Sequence, residues 1–194
     1  MTQTNINDYI YVNIQPVLDG AGEPTPTQLS TETFNSIDCH NKRIYAAILD
    51  KASVHVFEQS DDTYREQRFP LPKNHHTYLK LVVNERGIYF TSYTENVVGK
   101  MSLDGSPEYG VFEIPTSVQH GNETVGPRLC HSDEEGSILI AGHRSNELYV
   151  LENESEWSSV RVEGLEKPEC ALYLPGRLYV CSEGVMTLYL PETS

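Results

Sequence analysis

Glu169 and Glu183 are the residues of this sequence whose type and spacing point most directly to chemistry. Leu174-Pro175-Gly176-Arg177 reads as a tight turn between two apolar strands. Counting outward from it pairs positions that sum to about 352, which sets the two carboxylates opposite each other. Like charges directly opposed on a sheet are destabilising, so such a pair shares a proton, holds a cation or has a basic neighbour. Both glutamates are thus candidate general bases and candidate ligands of a hard cation such as Mg²⁺, with no cofactor required by the sequence. Equivalent positions elsewhere in the chain are Phe34, Tyr78 and Arg128, which add an aromatic wall, a phenol and a fixed cation. His76 precedes the strand that carries Tyr78, and His131 lies just inside the strand that begins near Arg128; each is a candidate base. Together these residues suit removal of a proton next to a carbonyl, with Arg128 or a divalent ion steadying the developing enolate. The competing reading is a network of ion pairs with no reaction attached.

Positioning such residues is the task of a repeated unit. Gly87 to Pro115, GIYFTSYTENVVGKMSLDGSPEYGVFEIP, reads as three short strands broken at Thr94-Glu95-Asn96 and Asp104-Gly105. Its apolar pair Ile88-Tyr89 recurs as Ile44-Tyr45, Ile138-Leu139 and Leu178-Tyr179, at spacings of 44, 50 and 40 residues. Each pair is followed by a second apolar strand, and the first three units by a third: Arg68 to Leu71, Val111 to Ile114 and Val160 to Leu165. The fourth unit lacks that outer strand, while Tyr9 to Leu18 near the N-terminus carries the same alternation. The prediction is an all-β chain, residues 1 to 194 as a single domain, folded as a closed four-bladed β-propeller whose N-terminal strand completes the last blade. The loop from Thr116 to Gly126 is an insertion expected near a binding site, and the acidic run Glu152 to Glu156 is expected to be a solvated turn.

The 194 residues carry 28 acids against 14 bases, a formal charge of -14, which argues against nucleic acid and against an anionic membrane surface as partners. No apolar run approaches the roughly 20 residues of a membrane span, and MTQTNINDYI lacks the basic start and apolar centre of a signal peptide, so a cytoplasmic location is expected. The expected partner is a small-molecule substrate or ligand, and a monomer is expected rather than a dimer. Cys39, Cys130, Cys170 and Cys181 have no metal-type spacing and are expected as reduced, mostly buried thiols. No Gly-rich phosphate loop, HExxH or GxSxG motif occurs.

GIYFTSYTENVVGKMSLDGSPEYGVFEIPT resembles the repeat of virginiamycin B lyase and related streptogramin lyases, a propeller family with repeats of the form GxLWFTExxxNxIGRIxxDGxxxEYxxPT. In that family the last repeat carries Pro-His-Gly-Ile and, fourteen residues after the His, a Glu; here Pro168-Glu169-Cys170-Ala171 and Glu183 fall into those places. The resemblance implies a lyase or isomerase/cyclase acting on a small carbonyl compound, with Glu183 as the retained active-site residue. The lyases have more blades than this chain holds, and Glu169 stands where they place their catalytic His. The alternative function is a non-catalytic propeller scaffold that binds a small ligand, sugar or protein.

Overall fold

A computed structural model describes residues 34–48, 53–60, 63–72, 80–106, 109–115 and 125–190. The expected closing strand at Tyr9 to Leu18 lies outside them, as do Tyr78, His76 and most of the loop from Thr116. Fifteen strands form four antiparallel sheets, with no helix among the described residues. The first sheet is β1 (Phe34–His40), β2 (Arg43–Ile48), β3 (Ser53–Ser60) and β4 (Thr63–Pro70). The second is β5 (Lys80–Asn84), β6 (Gly87–Thr91), β7 (Val97–Met101) and β8 (Gly110–Glu113). The third is β9 (Pro127–Ser132), β10 (Ile138–Gly142), β11 (Glu147–Glu152) and β12 (Glu156–Val160); the fourth is β13 (Pro168–Leu174), β14 (Arg177–Ser182) and β15 (Val185–Tyr189). Strands within each sheet are neighbours in chain order, as short turns between antiparallel partners dictate. No helix among the described residues is long and apolar enough to cross a membrane.

The period of two in the sequence sends alternate residues of one strand into different cores. Ile88 and Phe90 of β6 pack with Tyr45, Val54 and Val56 of the first sheet, while Tyr89 packs with Ile140 and Tyr149 of the third. Leu139 and Ala141 of β10 face the other way, onto Ala171 and Val180 of the fourth sheet. The sheets therefore stack through three shared cores, with the innermost strands β1, β5, β9 and β13 packed in sequence. Polar side chains fix that packing: Lys80 Nζ donates to the Asn35 carbonyl (3.2 Å), Leu81 N to Ser36 Oγ (3.1 Å) and Val83 N to Asp38 Oδ2 (2.7 Å). These bonds advance in step along both chains, so β1 and β5 run parallel and begin at the same rim.

The third sheet departs from the sequence expectation. Its outer strand is Glu156–Val160, not Val160 to Leu165, because Asn153 and Glu154 adopt left-handed φ values of 48° and 61° and turn the chain at once. Trp157 thereby pairs with Leu151. Glu154 is no solvated residue: its carboxylate accepts hydrogen bonds from Tyr89 Oη and Lys100 Nζ, each at 2.6 Å, tying the third sheet to the second. Partial burial pushes its pKa up, but those two donors outweigh it and hold it below the ordinary carboxylate value. The thiols are also more open than expected, Cys39 and Cys170 being exposed.

Candidate functional site

The four innermost strands enclose a cleft of about 380 Å³, lined among others by Asp38, Lys80, Cys130, His131, Glu169 and Cys170. Because the first strand of each sheet starts where the second strand ends, one rim of this cleft collects two sets of side chains. Arg128 and Glu169 stand at the beginnings of β9 and β13. Tyr93, His143 and Glu183 stand just past the ends of β6, β10 and β14.

At that rim the structure brings together Arg128 and Glu169, with Nη1 and Oε1 3.6 Å apart and both side chains partly exposed. The same guanidinium lies over the ring of Tyr93, 5.5 Å from its centre, and Arg144 lies on that ring at 4.8 Å. His143 packs against it at 5.8 Å, and its Nδ1–H donates to the Pro168 carbonyl at 3.4 Å. His131 lines the cleft as a half-buried residue of β9. Burial pushes the Cys130 thiol up to about 12, well away from a reactive thiolate.

The expected face-to-face pair of Glu169 and Glu183 does not form. Partners in the β13–β14 hairpin sum to 351 from Leu174↔Arg177 to Cys170↔Cys181, and then Pro168 pairs with Ser182. Glu169 is thus the extra residue of a β-bulge and has no direct partner. Glu183, with φ 49°, and Gly184, with φ 79°, form the two-residue turn into β15. Each carboxylate has its own cation: Glu169 pairs with Arg128, and Glu183 with Lys167 at 3.2 Å, where both side chains are 61% exposed. The two carboxylates are thus held by different basic side chains, and among the described residues no group of three His, Cys, Asp or Glu could hold a metal ion. Tyr78 and His76 fall outside the described residues.

Tyr93, His143 and Arg144 were not singled out from the sequence, yet a signal for two of them was present. Four residues beyond Tyr179 lies Glu183; the same step from Tyr89 reaches Tyr93, and from Leu139 reaches His143. Lys80 carried no such signal, since the strand it opens reads as ordinary core.

Four stacked antiparallel sheets around a polar cleft define a β-propeller-like protein. No family model matches the sequence, and no curated protein matches it significantly. Solved structures do share the fold. A virginiamycin B lyase from Staphylococcus aureus superposes with a TM-score of 0.61 at 16% identity, covering 88% of this chain and 59% of that one. A streptogramin B lyase gives 0.63 at 12% identity, covering 90% and 60%. The computationally designed Ika4 protein gives 0.56 at 8% identity, covering 83% of this chain and 92% of that one. The chain spans about three fifths of the length of the lyases, and identities this low establish a distant relationship of fold alone.

Proposed function

We propose that this protein processes a small carbonyl-containing molecule at the rim of the cleft by acid/base chemistry of the lyase or isomerase/cyclase kind. Glu169 is the base, and Arg128 steadies the negative charge that develops on the carbonyl oxygen. One observation carries this reading: Glu169, which lines a 380 Å³ cleft, stands 3.6 Å from the Arg128 guanidinium at one end of it, so that both groups can address one substrate. The test is proton exchange in D₂O, followed by NMR on a panel of lactones, cyclic peptides and 1,3-dicarbonyl compounds. Parent protein should exchange the acidic proton of at least one compound, and Glu169→Gln should lose about 100-fold or more of that rate, the range of a general base. Parent rates equal to those in buffer alone would remove the enzyme reading.

A non-catalytic scaffold is the second reading, and one observation favours it. Glu183, at the place of the lyases' active-site Glu, is well exposed and paired with Lys167. Saturable ligand binding without proton exchange would select it.

We also propose that residues 9 to 18 add the missing fourth strand beside β15 and close the four sheets into a single-chain propeller. The motive is that, among the described residues, the fourth sheet has three strands where the others have four, and Met186 and Leu188 are 71% and 46% exposed. Removing residues 1 to 18 should abolish cooperative unfolding; a truncated chain that melts like the parent would exclude this closure. A dimeric mass in solution would point instead to one larger ring made by two copies.

A further inference from the structure

The cationic cluster around Tyr93 is not used by the acid/base reading beyond Arg128, and it is unusual in a chain of formal charge -14. Two guanidinium groups lie on the same phenol ring, Arg128 at 5.5 Å and Arg144 at 4.8 Å from its centre. Like charges gathered this way repel, and only one of them has a carboxylate nearby: Arg128 meets Glu169 at 3.6 Å, whereas no carboxylate among the described residues pairs with Arg144.

The arrangement is fixed by the backbone beneath it. Arg144 N donates to the Val125 carbonyl (2.9 Å) and His143 N to the Gly126 carbonyl (3.2 Å), which clamps the β10–β11 turn onto the segment that leads into β9. Gly126 has a left-handed φ of 63°, and a Cβ there would come within 3.0 Å of the Tyr93 ring and 3.1 Å of the Arg144 stem. A glycine at this position lets the ring and Arg144 close up, so that part of the stack is built into the local chain.

We infer that Arg128, Arg144 and Tyr93 form a binding site for an oxyanion, a carboxylate or a phosphate, carried by a small ligand. Guanidinium forks match planar oxyanions through paired N–H donors, and stacking on the phenol holds both forks ready. The site adjoins Glu169, so its location rests on the proposed function, and it adds the charge of the ligand to that reading.

Titration tests the site without turnover. The probes are succinate and inorganic phosphate, read by the Tyr93 ring resonances and by calorimetry, with sodium chloride at matched ionic strength as the reference. At least one probe should bind saturably, and Arg144→Gln should weaken it about tenfold or more, as expected when a charge-assisted fork is lost. Arg144→Lys, which keeps the charge and loses the fork, should fall between them. Arg177→Gln, at an exposed turn position between β13 and β14, should bind like the parent. Which probe saturates decides between carboxylate and phosphate. No response beyond chloride, or undiminished affinity in Arg144→Gln, overturns the inference. Anion binding that persists in a protein with no proton exchange removes the acid/base reading and keeps this one; exchange without anion binding does the reverse.

Discussion

In the second sheet every residue of β6 is buried, Ile88 and Phe90 against the first sheet and Tyr89 against the third; in the fourth sheet the matching strand β14 buries only Val180. Their sequences are alike, Ile88-Tyr89-Phe90 against Leu178-Tyr179-Val180. Alternating apolar residues specify a strand able to be covered on both faces. Whether both faces are covered depends on what stands beside it. The turns differ in the same sense. A Cβ on Gly105, in the β7–β8 connection, would lie 2.4 Å from the Phe69 ring, whereas Gly176 and Gly184 in the fourth sheet have nothing within 4 Å. Among the described residues the second sheet shares a core with a neighbouring sheet on each face, and the fourth on one.

The largest test of this contrast is Phe90→Ala, which should cost about 3–5 kcal/mol in denaturant unfolding, the range for truncating a fully buried aromatic. Gly99 lies against the Phe90 ring and offers no side chain to refill the space, which favours the upper part of that range. A cost within experimental error of zero would mean that the interface between the first and second sheets is not formed as described. If residues 9 to 18 close the ring as proposed, Leu188→Ser in β15 should cost more than the roughly 0.5 kcal/mol of a surface substitution. A change of about 0.5 kcal/mol or less would show that this face stays open, and would count against closure by the N-terminal strand.

The smallest effect concerns the turn after β7. The Asp104 carboxylate accepts a hydrogen bond from Ser102 Oγ at 2.5 Å and from Ser106 N at 2.9 Å, and these lower its pKa from 3.8 to about 2. A folded-state pKa below the unfolded one stabilises the protein at pH above the unfolded value, and that contribution disappears as pH falls from 3.8 through about 2. NMR titration should place the Asp104 midpoint near the lower value, and Ser102→Ala should move it upward. A parent midpoint at the ordinary Asp value would show that this turn is as loose as those of the fourth sheet.

The reach of sequence reasoning is clearest at particular residues. The turn at Pro175-Gly176 and the strands on either side were legible, because proline and glycine dictate the turn and apolar alternation dictates the strands. The register beyond it was not. The count of about 352 is already one too high at Leu174, where partners sum to 351, and the bulge at Glu169, which leaves no mark in the residue types around it, takes the sum to 350 at Pro168. The first sheet carries the same kind of irregularity between Phe34 and Ser36, the third between Leu139 and Ile140. The acidic run at Glu152 to Glu156 is a turn with Asn153, Ser155 and Glu156 exposed, as its composition implies, and Glu154 alone departs from that reading. Only the approach of Tyr89 and Lys100 from two strands more than fifty residues earlier gives Glu154 its partners.

By itself the sequence determined the strand order, the four repeats and the side of each strand that seeks a core, since these follow from a period of two and from turn chemistry, both local. Tertiary structure alone decided which charged groups meet. Glu169 faces Arg128, not Glu183, and Tyr93 gathers one arginine from β9 and another from the β10–β11 turn. Such pairings depend on bulges and on contacts between sheets of a few ångströms, distances that no spacing along the chain encodes.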